Sequence, residues 1–164
     1  LLVYMVMAAQ FESLIYPFVI MFTVPLSAAG AVIALIITGM SLSTYGMIGA
    51  IMLVGIVVNN AIVMIDYINN RKEKMNRREA ILEAAPIRLR PILMTTLTTV
   101  LAMMPLAVGI GTGAETQQPL AVVVIGGLLF STILTLIIIP VVYDIVDEFR
   151  NKVVNYLRRI VHNE

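Results

Sequence analysis

Cysteine and tryptophan are absent from this 164-residue chain, and histidine occurs once. Without thiols it can form neither a disulfide framework nor a cysteine-based metal or redox site, and that absence places no constraint on compartment. Charge is scarce as well. Only 13% of the residues are Asp, Glu, Lys or Arg against 60% hydrophobic, and the mean hydropathy is +0.96. That balance excludes an ordinary water-soluble globule. The signatures of soluble enzymes are missing too: no GxGxxG, Walker A loop, HExxH or CxxC occurs, and His162 stands in the tail without a partner residue. The glycine-rich stretch at 109–113 separates two apolar runs, which is not the strand-to-helix context of a phosphate cradle. No enzymatic role, cofactor or resident metal is expected.

What the sequence does have is long apolar runs. The stretches 15–38, 45–68, 91–109 and 121–146 contain no Lys or Arg, and each approaches or exceeds the about 20 residues that a membrane-crossing helix needs. Residues 1–10 are equally apolar but would extend only ~15 Å as a helix. They have neither a basic n-region nor a small-residue cleavage site, so they read as the tail of a truncated transmembrane helix, not as a signal peptide. The expected fold class is an all-α integral membrane helical bundle.

The formal charge of +1 conceals a partition: all 11 Lys and Arg residues lie between Arg71 and Arg90 or between Arg150 and Arg159. If the runs alternate direction, both segments share one face, which the positive-inside rule makes cytoplasmic. The connections at 39–44 and 110–120 then lie outside, with Glu115 their only charge. Residues 69–90 form a cytoplasmic basic loop. Within it 76–85 reads as a short interfacial helix, with Asn76 and Glu79 as a capping box and Pro86 as its end. Its basic residues suit anionic headgroups better than nucleic acid. Residues 147–164 form a cytoplasmic C-terminal tail, in which 147–159 is expected to continue helically, either as the end of the last span or as an interfacial segment.

Polar side chains inside apolar helices face a bundle interior or a wet path. Asn59, Asn60 and Asp66 lie in the second full span; Asn59 and Asp66 are seven residues apart and therefore on one helix face, and Asp66, near the cytoplasmic end, is placed to act as an interfacial anchor to headgroups or the basic loop. Thr95, Thr96, Thr98 and Thr99 form a hydroxyl cluster in the third. In antiparallel spans Asn59 and Thr98 would sit at similar depths, about 13 and 11 Å, and could meet. Either reading stays open for them, ion path or interhelical glue. Gly127, Ser131 and Thr135 recur every four residues, as do Thr23, Ser27 and Ala31, a pattern for close helix packing. Pro25, Pro105 and Pro140 are expected to kink or end helices.

Three ordered motifs, AAQFESLIYPFVIMFTVPLSAAGA, GIVVNNAIVMIDY and RLRPILMTTLTTVLAMMPLA, resemble the resistance-nodulation-division (RND) exporters, in particular the acriflavine-resistance branch of hydrophobe and amphiphile efflux pumps. The resemblance covers about residues 1–150. It implies the end of helix eight and helices nine to twelve of a twelve-helix domain whose missing helices and periplasmic domains are partners of this segment. It also implies a homotrimer in the inner membrane, surrounded by lipids and served by a periplasmic adaptor and an outer-membrane channel.

The family couples efflux to inward proton flow through two Asp on the fourth helix, facing a Lys, an Asn, an Arg and a Thr. By motif position these last four fall on Asn59, Asn60, Arg88 and Thr95, with Thr98, Thr99 and Asp66 as a supporting polar cluster. Asn59 departs from the pattern, because Asn offers hydrogen bonds where Lys offers a charge. Coupling through the fourth-helix acids alone, use of another ion such as sodium, and a purely structural role all remain compatible with it. A lipid- or protein-export branch and a non-transporting packing module are the alternative functions.

Overall fold

The computed structural model describes residues 1–161, and the expectation about His162 falls outside them. Six helices follow one another among the described residues: α1 (Leu2–Phe11), α2 (Ile15–Met21), α3 (Thr23–Thr38), α4 (Thr44–Lys72), α5 (Arg77–Val108) and α6 (Ala114–Val161). Four segments are long and apolar enough to cross a membrane, α2 and α3 together forming the first of them. The break between α2 and α3 falls at Phe22, and Pro25 sits in the first turn of α3, where its missing N–H has no intrahelical partner to lose.

Glycine closes two of these helices for a definite reason. Gly39 and Gly109 adopt left-handed φ of 67° and 79°. At the first, Gly39 N–H donates to Ile36 O and Met40 N–H to Leu35 O; at the second, Gly109 N–H donates to Leu106 O and Ile110 N–H to Pro105 O. Each is a Schellman cap that satisfies terminal carbonyls and turns the chain back. Ser43 then starts α4, its hydroxyl accepting from Gly46 N–H at 3.3 Å.

The connection at 69–90 differs from expectation. Asn76 is the N-cap of α5 with extended backbone, but its side chain makes no capping bond, and the helix does not stop at Pro86: it runs from Arg77 to Val108. The physical reason is where the prolines point. Pro86, Pro91 and Pro105 are all exposed, as are Leu82, Ile87 and Leu101 four residues before them. Ring and freed carbonyl therefore lie on the unpacked side of α5 and disturb no helix contact. Similarly, α6 absorbs Pro140 and continues for 48 residues. That is about 72 Å, more than twice a ~30 Å hydrocarbon core, so the helical continuation expected after Val146 prolongs the last helix well beyond a single span.

Helix α6 is the axis of the bundle. Helices α2, α3, α4 and α5 all pack on it, and half of its apolar window is buried, against 11% for α5. Two core clusters divide its length. At one end Met7, Tyr16, Ile20, Met64, Ile68, Ala84, Ile139 and Tyr143 come together. At the other Ala31, Leu35, Leu53, Val57, Val122 and Leu128 do. The first cluster adjoins both basic segments, so these share one end of the bundle, and the glycine-capped turns lie at the other.

Candidate functional site

Helix α4 is two-faced. Leu53, Val57, Asn60, Ala61 and Met64 are buried, whereas Met52, Gly55, Asn59, Asp66 and Asn70 form an exposed stripe at helical spacing. Asn59 thus points away from α6, and Asn60, 9% exposed, points in. Among the described residues neither carboxamide makes a side-chain hydrogen bond. Asp66 accepts from Asn70 Nδ2 at 3.3 Å within the same helix.

Helix α5 repeats the pattern. Thr95 and Thr98 are exposed, whereas Arg88, one turn from the buried Ala84 and Ile92 on either side, is half-buried. The Arg88 guanidinium stands 4.6 Å above the Tyr67 ring of α4, a cation–π contact, and its buried Nε has no hydrogen-bond partner among the described residues. The expected hydroxyl cluster does not form as a unit. Thr95 Oγ1 donates to Pro91 O at 3.0 Å and Thr99 Oγ1 to Thr95 O at 2.8 Å, each using its own helix backbone. Thr98 has no side-chain bond among the described residues and does not meet Asn59.

Thr96 alone reaches across, its hydroxyl 2.9 Å from that of Thr132 in α6, both buried. Replacing Thr96 by valine should cost about 1 kcal/mol of stability, measured by thermal unfolding in detergent, because Thr132 would lose its interhelical partner.

The small residues have distinct places. Ser27, Ser131 and Thr135 are buried; the first two hydroxyls donate to Val24 O at 2.7 Å and Leu128 O at 3.2 Å. Thr135 Oγ1 is buried with no partner among the described residues. A Cβ on Gly127 would strike Leu53 of α4. Backbones approach closely at two places: a Cβ on Gly49 of α4 would lie 2.8 Å from Leu120 O of α6, and at Gly30 of α3 and Gly126 of α6 a Cβ on either would lie within 3.1 to 3.3 Å of the other's carbonyl oxygen. Neither Gly30 nor Gly126 belongs to the four-residue ladders, though each stands beside or three residues from a ladder member. Gly49 is likewise outside those ladders.

A second polar group, not expected from sequence, ties the basic end together. Asp147 of α6 has a side chain only 1% exposed and is shared between Lys72 Nζ of α4 at 2.6 Å and the Arg150 guanidinium at 3.2 Å. One turn earlier, Tyr143 stacks on Tyr16 with centroids 5.5 Å apart and donates to Asn69 Oδ1 at 2.6 Å. Arg150 also reaches Tyr16 OH at 3.5 Å. Nearby, Arg71 donates to Tyr67 OH at 3.1 Å and pairs with Glu83 at 3.4 Å, joining α4 to α5. The visible signals were Tyr143, Asp147 and Arg150 at one-face spacing on α6 and Asn69 with Lys72 on α4; which helix each would meet was not visible.

Four apolar spans thus form a helical bundle in which two of the spans carry exposed polar residues. The sequence model of the AcrB/AcrD/AcrF family matches residues 1–147, and the chain belongs to that family of RND transporters. It is 46% identical over 153 residues to the swarming motility protein SwrC of Bacillus subtilis (strain 168), a match covering 92% of this chain and 14% of SwrC. It is 43% identical over 152 residues to the multidrug resistance protein MdtC of Erwinia tasmaniensis, with 92% of this chain and 15% of MdtC covered. A crystal structure of a heavy metal efflux pump superposes with a TM-score of 0.82 at 37% identity, over 90% of this chain and 15% of that one. The chain therefore spans about one seventh of the length of these relatives.

Proposed function

We propose that this chain is the carboxy-terminal membrane segment of a secondary active, proton-driven exporter of hydrophobic or amphiphilic compounds and supplies one side of its ion path. One observation carries the reading: two otherwise apolar helices turn polar residues away from their common neighbour α6, Gly55, Asn59 and Asp66 on α4 and Thr95 and Thr98 on α5. Polar groups on a lipid face are costly, so these residues call for a further helix layer or a wet path against them. A Cβ on Gly55 would meet nothing within 4 Å, which leaves room for a helix to approach beside Asn59. The other membrane half of an RND transporter is the natural occupant, with the basic end cytoplasmic and three protomers assembled in the inner membrane. A periplasmic adaptor and an outer-membrane channel complete the proposed export route. Likeness to the multidrug resistance protein MdtC supports drug-like substrates. Metal-ion export is the second reading, favoured by likeness to the heavy metal efflux pump.

The test uses the full-length protein that carries this chain, reconstituted in vesicles with an imposed pH gradient. Asn59→Leu and Thr95→Val should each slow gradient-driven dye efflux by about tenfold, the effect of ~1.4 kcal/mol lost at one hydrogen-bonding group, without loss of folded protein. Leu97→Ala, exposed on the side of α5 opposite Thr95, should transport normally. Wild-type rates in both polar variants would overturn the ion-path assignment. A sodium gradient replacing the proton gradient, and a metal ion replacing the dye, test coupling ion and substrate in the same vesicles.

A further inference from the structure

At the basic end, α1, the start of α2 and the last part of α6 enclose a groove of about 570 Å³, walled by Tyr4, Leu14, Phe18, Ile145 and Phe149 and bounded by Arg150. The volume falls within the ~300–1,000 Å³ typical of small-molecule sites. Its lining is almost wholly apolar, and Leu14, Phe18, Ile145 and Phe149 remain exposed. Tyr4 OH holds the groove's shape by donating to Leu14 O at 2.8 Å across the turn between α1 and α2.

Arg150 sets the chemistry of the rim. Asp147 is a single carboxylate between two cations, Lys72 and Arg150, so the three groups together carry a net positive charge. Lys72 is the closer partner at 2.6 Å, and the Arg150 side chain remains 37% exposed. The adjoining Lys152 and Glu148 neutralise each other at 3.0 Å. The groove lies where the apolar part of α6 gives way to its charged turns, the level at which acyl chains meet headgroups.

We propose that this groove holds one anionic phospholipid, with an acyl chain against Phe18, Ile145 and Phe149 and the headgroup phosphate on the Arg150 guanidinium. The inference rests on the chain spanning a membrane and not on the proposed ion path. A guanidinium offers several N–H donors in a plane, so contacts with Asp147 and Tyr16 leave others for phosphate oxygens. A zwitterionic lipid would fill the same groove but would bring no net charge to the rim.

The full-length protein, stripped of lipid in detergent, would be titrated with phosphatidylglycerol and phosphatidylethanolamine and read by native mass spectrometry. One tightly held phosphatidylglycerol per protomer is expected, bound about fivefold better than phosphatidylethanolamine. Arg150→Gln should abolish that preference, and Leu14→Trp, which fills the groove without touching Asp147, should weaken both lipids. Equal binding of the two lipids, or phosphatidylglycerol binding unchanged by Leu14→Trp, would overturn the site. Inorganic phosphate displacing the lipid would make it a free-anion site and overturn the lipid assignment. Leu14→Cys, in a background without other cysteines, should react with a membrane-partitioning maleimide and be protected by phosphatidylglycerol. Failure to react in lipid-free protein would mean that protein fills the groove, and would likewise overturn it.

Discussion

Gly126→Ala should lower the stability of the bundle by about 1 to 3 kcal/mol, a large effect for one methyl group. The added Cβ would collide with the Ala34 methyl, with Gly30 O 3.3 Å away and Ala34 Cα 3.5 Å away. Two of these three atoms belong to the α3 backbone, so relief requires the helices to separate, and α3 and α6 form the most extensive contact in the bundle. In a membrane this contact gains little from the hydrophobic effect, since lipid is as apolar as the side chains; it depends on close van der Waals packing, which separation forfeits. The collision partner also supplies the check. Ala34→Gly in the Gly126→Ala background should restore much of the loss, and the two changes should be strongly non-additive. Thermal unfolding of the purified protein in detergent measures all three variants. An additive double variant would show that the Ala34 contact is not what excludes a side chain at residue 126.

Asp147→Asn should be the other severe substitution, costing about 1 to 3 kcal/mol. It keeps the shape of the side chain but leaves Lys72 and Arg150 facing each other across a neutral amide. Breaking a fully buried pair costs more, about 3 to 5 kcal/mol; here the cation side chains are 25% and 37% exposed and water offsets part of the loss. Lys72→Met alone should cost less, because Asp147 keeps Arg150 and the methionine can lie on the Tyr143 ring that the ammonium now overlies at 6.0 Å. Adding Lys72→Met to Asp147→Asn should then recover stability relative to Asp147→Asn. A double variant weaker than Asp147→Asn alone would mean that Lys72 acts through packing and not through its charge.

The two predictions bear on different sources of cohesion along α6. Near its middle the helices are held by the absence of side chains, at Gly30 and Gly126. Near the basic end they are held by a carboxylate, two cations, a tyrosine pair and an asparagine, all reaching between α2, α4 and α6.

Much of the architecture could be read directly from residue order. The four spans follow from uninterrupted apolar runs, and the clustering of basic residues at one end follows from their positions and the alternation of antiparallel helices. Gly39 and Gly109 close helices as their place after apolar runs implies. Pro86 shows where local rules fail. A proline predicts a break from its missing N–H, but whether the helix bends or ends depends on whether the freed carbonyl faces a neighbour, and here it does not. At Asn76 the local rule held in part: the residue takes the N-cap place of α5 with extended backbone, but its side chain makes no capping bond.

The sequence by itself determined that the chain crosses a membrane, how often, and which ends of its helices lie together, because hydropathy and charge act on each segment separately. The family motifs around Asn59, Arg88 and Thr95 were equally legible, being local strings. Only the tertiary structure decided that α6 is the axis, that Asn59 and Thr95 turn away from it while Asn60 and Thr96 turn inward, and that Asp147 lies between Lys72 and Arg150. Those facts depend on the rotation of each helix about its own axis. Side-chain packing against neighbouring helices sets that rotation, and membership of an apolar run leaves it open.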